Sequence, residues 1–241
     1  MDKSLYKIIV QAYCYLLFLL FILYQEHLNY SILLYNTLFF LIISSVIFYI
    51  FNLYKTDHFS YACYITYARI TLIIILLSIT INTYLSVSFS NILYKENVFL
   101  IISLIVLLLD WFDGFIARYL NETSKFGAIF DQETDNLLLL TLTLSLYLNN
   151  DMTIIILLIP FYRYMFIVLG LYFEWLKNTL PKSYLRKVIC SMTVFLLIIS
   201  HIRYLSNSCI QIISILAFLM ITFSFTKDII WLYRSKKYAN S

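Results

Sequence analysis

Long apolar segments place the strongest limit on the fold of this chain. Eight of them, separated by short polar connectors, cover residues 8–25, 31–53, 67–88, 97–119, 127–149, 152–176, 185–202 and 209–232. A helix of about 20 apolar residues crosses the hydrocarbon layer of a bilayer, where every backbone polar group must be hydrogen-bonded internally. The segments lack the alternation of a barrel strand. They therefore predict an all-α polytopic membrane protein.

The composition agrees with a bilayer as the main partner of the chain. Hydrophobic residues make up 62% of it and charged residues only 12%, where soluble domains have about 25%. The four cysteines stand singly in or beside apolar segments, without the spacing of a metal site or a disulfide framework. We interpret them as small buried apolar residues.

Lysine and arginine are unevenly distributed between the two sides of the membrane. If the amino terminus lies in the cytosol, only Lys95 and Arg203 of the 17 basic residues fall outside, Arg163 falls within a span, and the other fourteen face the cytosol. Cytosolic connectors of membrane proteins carry such an excess. We therefore expect both termini in the cytosol. This bias also accounts for the net charge of +4 without a nucleic-acid partner.

Four aspartates stand out in two neighbouring apolar segments. Asp110 and Asp113 are three residues apart, and Asp131 and Asp135 are four apart, so each pair projects from one face of a helix. The connector between the segments is short, so two antiparallel helices would direct the four carboxylates toward each other. Carboxylates this close cannot all stay ionised without a counter-charge. A hard divalent cation, Mg²⁺ or Mn²⁺ rather than zinc, fits such ligands.

Glycine is scarce, and two of the three glycines lie beside these acids. Gly114 and Gly127 belong to the same two helix faces. Glycine permits a ligand to approach the backbone closely, and small residues also permit close packing of membrane helices. From these residues alone, the four acids also fit a proton or cation relay in a transporter.

The pattern D-x2-D-G-x2-A-R-x8-G-x3-D-x3-D closely resembles the signature of the CDP-alcohol phosphatidyltransferases. Its fixed residues are Asp110, Asp113, Gly114, Ala117, Arg118, Gly127, Asp131 and Asp135. The resemblance implies a six-helix catalytic membrane domain, residues 61–241, preceded by two additional transmembrane helices, residues 1–60. It also implies a homodimer, and we expect it in the cytoplasmic membrane of a bacterium.

The resemblance implies a specific chemistry as well. CDP-diacylglycerol or a related CDP-lipid enters from the bilayer, the hydroxyl of a small alcohol attacks the β-phosphorus, and CMP leaves. Two divalent ions, Mg²⁺ or Mn²⁺, are implied at the four aspartates, with Asp135 also the general base and the active site facing the cytosol. The residues implied for CDP-lipid binding are Asp110, Asp113, Gly114, Ala117, Arg118 and Gly127.

Basic residues near the other end of the chain are candidates for binding the acceptor alcohol. Arg163 is expected in mid-membrane, where a charge is costly and indicates function, and Pro160 before it is expected to kink the helix. Arg186 and Lys187 begin the following helix. The alternatives are a structural pairing of Arg163 with an acid such as Asp135, and membrane anchoring by Arg186 and Lys187.

The sequence fits more than one acceptor alcohol. DWFDGFIAR resembles the form in phosphatidylglycerophosphate synthases, which use glycerol 3-phosphate, whereas DQETDN departs from the D-P-x-A-D-K expected there. Inositol phosphate, serine and other alcohols are alternatives, as is a non-enzymatic cation transporter or scaffold. Arg69, in a segment that also resembles the family, either touches the headgroup or anchors the chain at the interface, and we favour anchoring.

Overall fold

The computed structural model of the chain describes residues 3–24, 30–54, 61–85, 92–120, 124–150, 152–177, 184–202 and 204–239. Within these ranges it contains eight α-helices and no strand, so the predicted all-α fold is confirmed. The helices are Lys3–Tyr24 (α1), Tyr30–Leu53 (α2), Tyr61–Tyr84 (α3), Ile92–Tyr119 (α4), Lys125–Asn149 (α5), Leu158–Tyr172 (α6), Tyr184–Ile199 (α7) and Asn207–Ala239 (α8).

Six helical segments in the described part of the chain are long and apolar enough to cross a membrane. They are α1, α2, α3, α4, α6 with the turn before it, and α8. The helix α7 has only 16 residues, and the first three turns of α5 contain charged side chains, so both fall short of the predicted spans. The protein is therefore a multi-pass membrane protein, with six of the eight predicted spans supported by length and composition.

The segment predicted as one span over residues 152–176 is not a single helix. A 3-10 turn, Ile154–Leu157, precedes α6, and another, Glu174–Lys177, follows it. Pro160 lies in the first turn of α6, where a backbone N–H has no partner within the helix in any case. The expected kink within a helix is therefore wrong: the proline stands where an α-helix begins.

The chain divides into two compact units, residues 1–141 and 142–241. In the first unit α3 is central. In its apolar 18-residue stretch 72% of the residues are buried, whereas the corresponding share in α1, α2 and α4 is 17–28%. It packs against all three of these helices. A helix that is apolar on every side is expected in such a position.

A network of polar side chains joins α1 and α2 to α3. Ser78 of α3 lies 2.7 Å from the hydroxyl of Tyr24 and accepts a 3.0 Å hydrogen bond from Asn36. Asn82, one turn further along α3, donates to the hydroxyls of Tyr24 at 2.7 Å and Tyr35 at 2.5 Å. Buried polar groups in a membrane need such partners. The network therefore docks the two additional helices on α3.

Aromatic side chains extend this contact to the beginning of α5. Phe40 of α2 lies edge-on to Tyr67 of α3, which also donates a 2.8 Å hydrogen bond to Ser44 and packs on Phe130 of α5. Near the other end of α2, Phe51 packs edge-on against Phe126, with ring centroids 5.1 Å apart. The helix α2 thus contacts both α3 and the first turns of α5.

The second unit is built on α8. The hydroxyl of Tyr162 on α6 lies 2.8 Å from that of Thr222 on α8, and its ring stacks on Phe225. The helix α7 packs along α8, where Arg186 forms an ion pair with Asp228 at 3.6 Å.

Candidate active site

The acidic residues of α4 and α5 converge in the first unit. One carboxylate oxygen from each of Asp110, Asp113 and Asp131 lies within 4.8 Å of the other two. Asp135, one turn beyond Asp131 on α5, joins the same group through a shared basic partner. The structure therefore brings together the four acids whose convergence the sequence predicted. Below, these four residues are called the acidic cluster.

The shared partner is Arg69 of α3. Its Nη1 lies 2.9 Å from Oδ2 of Asp113 and 2.7 Å from Oδ1 of Asp131. Its Nη2 lies 2.9 Å from Oδ1 of Asp110 and forms a short hydrogen bond with Oδ1 of Asp135. A single guanidinium therefore contacts all four carboxylates.

The expectation that Arg69 anchors the chain at the membrane interface is wrong. Its side chain is 0% exposed. The helix was predicted to begin at residue 67, but α3 begins at Tyr61, so Arg69 is its ninth residue and lies about 12 Å along the axis. The sequence held one indirect signal: four converging carboxylates need counter-charge, which a buried basic residue can supply as well as a metal ion. Arg69 also shares a segment with Tyr67 that resembles the family.

Thr66, one turn before Arg69, also contacts the cluster. Its hydroxyl lies 3.2 Å from Oδ2 of Asp113 and 3.1 Å from the carbonyl oxygen of Ala62, so one proton is shared between two acceptors. Asp113 is only 4% exposed and receives both of its contacts from α3 on the same oxygen. Asp113 is therefore the least exposed acid of the cluster and is contacted by two side chains of α3.

The other three acids remain open on one side. The side chains of Asp110, Asp131 and Asp135 are 34%, 41% and 45% exposed, whereas that of Arg69 is fully buried. Arg69 and Thr66 thus contact the cluster from its buried side.

The donor atoms of the cluster suit a hard divalent cation. Four ionised carboxylates against one guanidinium leave three formal negative charges unbalanced. Oxygens from Asp110, Asp113 and Asp131 are close enough to bind one ion together, and Mg²⁺ and Mn²⁺ prefer ligands of this kind. The residues present therefore fit the group that the resemblance implies.

The two glycines of the motif have different surroundings. A Cβ at Gly127 would lie 3.0 Å from Oγ of Ser124 and 3.8 Å from Sγ of Cys63. Ser124 caps α5 by accepting a 2.8 Å hydrogen bond from the N–H of Gly127, so this position is tight for a structural reason.

At Gly114 the space is open. A Cβ there would meet only Nη2 of Arg118, at 3.9 Å, which is an ordinary van der Waals distance. Helix packing within the described contacts therefore does not require a glycine at this position. Arg118 lies exposed in the last turn of α4, beside Gly114, and Ala117 belongs to the same turn.

The candidate acceptor residues lie in the second unit. Arg163 occupies the middle of the span Ile154–Tyr172. Arg186 is half-buried and paired with Asp228, while its neighbour Lys187 is exposed. Asp135, offered above as a structural partner for Arg163, has Arg69 as its basic partner.

Comparison with known proteins decides the family. The family described as CDP-alcohol phosphatidyltransferase matches residues 59–227. The chain belongs to this family. The complete signature, Asp110 to Asp135, lies inside the match, and α1 and α2 precede it. The predicted domain boundary between residues 60 and 61 stays a prediction.

One curated relative adds a partial likeness. It is named CDP-diacylglycerol--glycerol-3-phosphate 3-phosphatidyltransferase, from Wigglesworthia glossinidia brevipalpis, and is 50% identical over 38 residues. The match covers 16% of this chain and 21% of the relative, so the chain matches about a fifth of the length of that protein. No solved structure gives a significant match.

Proposed function

We propose that this CDP-alcohol phosphatidyltransferase family member transfers a phosphatidyl group from a CDP-linked lipid to a small alcohol and releases CMP. The observation that carries the proposal is the convergence of the acidic cluster, with oxygens from three aspartates within 4.8 Å of each other. Phosphoryl transfer depends mainly on positioning and on neutralising charge, and a cluster of this kind can hold the ions that supply both.

Asp110, Asp113, Asp131 and Asp135 would hold two ions, Mg²⁺ or Mn²⁺. When bound, such ions neutralise the pyrophosphate and polarise its phosphorus–oxygen bonds. Gly114, Ala117, Arg118 and Gly127 would receive the nucleotide and pyrophosphate, with the exposed guanidinium of Arg118 at the rim.

Asp135 would act as the general base. Its side chain is 45% exposed, so an incoming hydroxyl can reach it. It accepts the hydroxyl proton as the alcohol oxygen bonds to the β-phosphorus. The bond from that phosphorus to the bridging oxygen breaks, and CMP carries the bonding electrons away.

The proposed acceptor is glycerol 3-phosphate. The printed name of the curated relative includes this alcohol, and Arg163, Arg186 and Lys187 supply positive charge suited to a phosphate. Inositol phosphate, serine and other alcohols are the alternatives. The homodimer that the resemblance implies stays a prediction.

The proposed location is a bacterial cytoplasmic membrane, with the active site and both termini facing the cytosol. The excess of lysine and arginine on that side supports this orientation. A reporter protein that folds only in the cytosol, fused after Ser241, should be active; a silent reporter would reverse the orientation.

The test of the activity is release of CMP from radiolabelled CDP-diacylglycerol by the purified protein. Release should require Mg²⁺ or Mn²⁺, stop in EDTA, and be fastest with glycerol 3-phosphate among the three acceptors named above. Asp131→Asn should abolish release, whereas Glu133→Gln, an acid of the same helix outside the cluster, should preserve it. Full activity in EDTA refutes the metal dependence. No release with any acceptor favours a cation transporter or scaffold.

A further inference from the structure

The position of Arg69 is unusual for a charged residue in a membrane helix. It is fully buried within a span, where an ionised side chain is costly unless it is paired. Each of its two terminal nitrogens contacts two acids, and the four acids come from two other helices. The guanidinium therefore links α3 to both α4 and α5.

Arg69 contacts only one of the two oxygens of each carboxylate in the cluster. It takes a single oxygen from each acid: Oδ2 of Asp113 and Oδ1 of Asp110, Asp131 and Asp135. Among the described residues, the second oxygen of each carboxylate has no protein hydrogen-bond donor. Carboxylates that bind a metal are commonly held by such a hydrogen bond on their other oxygen.

We propose that Arg69 is the positioning residue of the acidic cluster, holding one oxygen of each carboxylate from the buried side so that the other oxygens can bind divalent ions together. This inference rests on the proposed metal-dependent function. Arg69 lies outside the aspartate signature, and through this residue α3 forms part of the site.

An arginine suits this role better than a lysine. The guanidinium is planar and presents a rigid fork of donors, whereas an ammonium group is a single point of charge. Two terminal nitrogens, each with two N–H groups, match the four carboxylate oxygens. Thr66 reinforces the arrangement at Asp113, the acid with the least exposure.

Positioning and simple electrostatics predict opposite effects when Arg69 is removed. If Arg69 only competed with cations for the carboxylates, loss of its charge would tighten Mn²⁺ binding. If it positions the carboxylates, loss of the guanidinium should weaken Mn²⁺ binding by about 10–100-fold, the usual effect of removing a residue that holds metal ligands.

The experiment is a titration of the protein in detergent with Mn²⁺ alone, monitored by electron paramagnetic resonance. Arg69→Met and Arg69→Lys should both bind Mn²⁺ about 10–100-fold more weakly than the unmodified protein. The control, Arg234→Met, removes an exposed arginine of α8 and should bind normally. If Arg69→Met does not fold, Arg69→Lys, which keeps the charge and loses the fork, carries the test alone.

The outcomes separate this inference from the proposed function. Unchanged or tighter Mn²⁺ binding by Arg69→Met overturns the positioning role. Full binding by Arg69→Lys overturns it as well, because charge without the guanidinium fork would then be sufficient. Absence of Mn²⁺ binding in the unmodified protein contradicts the metal-dependent function itself.

Discussion

Gly114→Ala should separate the stability of this protein from its activity. Gly114 lies within α4, and a Cβ there would meet only Arg118 at 3.9 Å. Alanine in a helix interior is more favourable than glycine by about 0.5–1 kcal/mol. With no clash to oppose this gain, the melting temperature should stay the same or rise by up to about 4 °C.

The activity should change in the opposite direction. If the pyrophosphate or nucleotide lies against the backbone at Gly114, the added methyl group displaces it by about 1 Å. A displacement of that size costs about 10²-fold in kcat/KM. The larger substitution Gly114→Leu should still insert into the membrane, since leucine is more apolar, and should abolish turnover.

Gly127→Ala provides the contrasting variant. Its Cβ would lie 3.0 Å from Oγ of Ser124, the cap of α5. Disturbing a cap costs about 1 kcal/mol, which cancels or exceeds the gain from alanine. Its melting temperature should therefore not rise as that of Gly114→Ala does.

Two assays in the same detergent test these expectations. Thermal unfolding monitored by tryptophan fluorescence gives the melting temperature, and CMP release at varied CDP-lipid concentration gives kcat/KM. If Gly114→Ala keeps the kcat/KM of the unmodified protein, no substrate approaches this position. If its melting temperature falls by several degrees, another part of the protein fills the space, and the reasoning from the open Cβ position is wrong.

Three further variants test other parts of the structure. Asp135→Asn should lower kcat by about 10²-fold or more, the scale of a general base, while Mn²⁺ binding measured by paramagnetic resonance persists; an unchanged kcat assigns the proton to another group. Arg163→Ala should raise the KM for the acceptor and leave the KM for the CDP-lipid and the melting temperature unchanged; a lower melting temperature with unchanged KM values shows a structural role instead. Asn82→Leu removes two hydrogen bonds to α1 and α2, each worth about 0.6 kcal/mol in a membrane, so unfolding in SDS should show a loss of about 1 kcal/mol, and no loss would mean that the polar network does not dock these helices.

The pattern of apolar residues predicted the positions of the helices well and the residues at which they begin and end less well. The apolar segments located the eight α-helices of the described residues, because a bilayer leaves the backbone few alternatives to a helix. Their limits were less certain, since helices can extend beyond the apolar layer. This is why α3 begins at Tyr61 rather than residue 67, and why a 3-10 turn precedes Leu158.

The convergence of the four acids could be predicted because it depends on residues that are close together in the sequence. Spacings of three and four residues put Asp110 with Asp113, and Asp131 with Asp135, on single helix faces. The short connector between α4 and α5 then brought the two faces together. The signature lies within 26 consecutive residues, so recognising it required no knowledge of how distant helices pack.

The basic partner of the acids was decided by tertiary structure alone. Arg69 is separated by 44 residues from Asp113 and by 66 from Asp135, and helical periodicity does not show which faces of distant helices meet. In a soluble protein an apolar stripe would mark the inward face of α3. In a bilayer, lipid is as apolar as leucine, so the buried and lipid-facing sides of a helix look alike in sequence. The amino-acid sequence by itself determined which residues share a helix face. Only the packing of α3 against α4 and α5 made Arg69 part of the site.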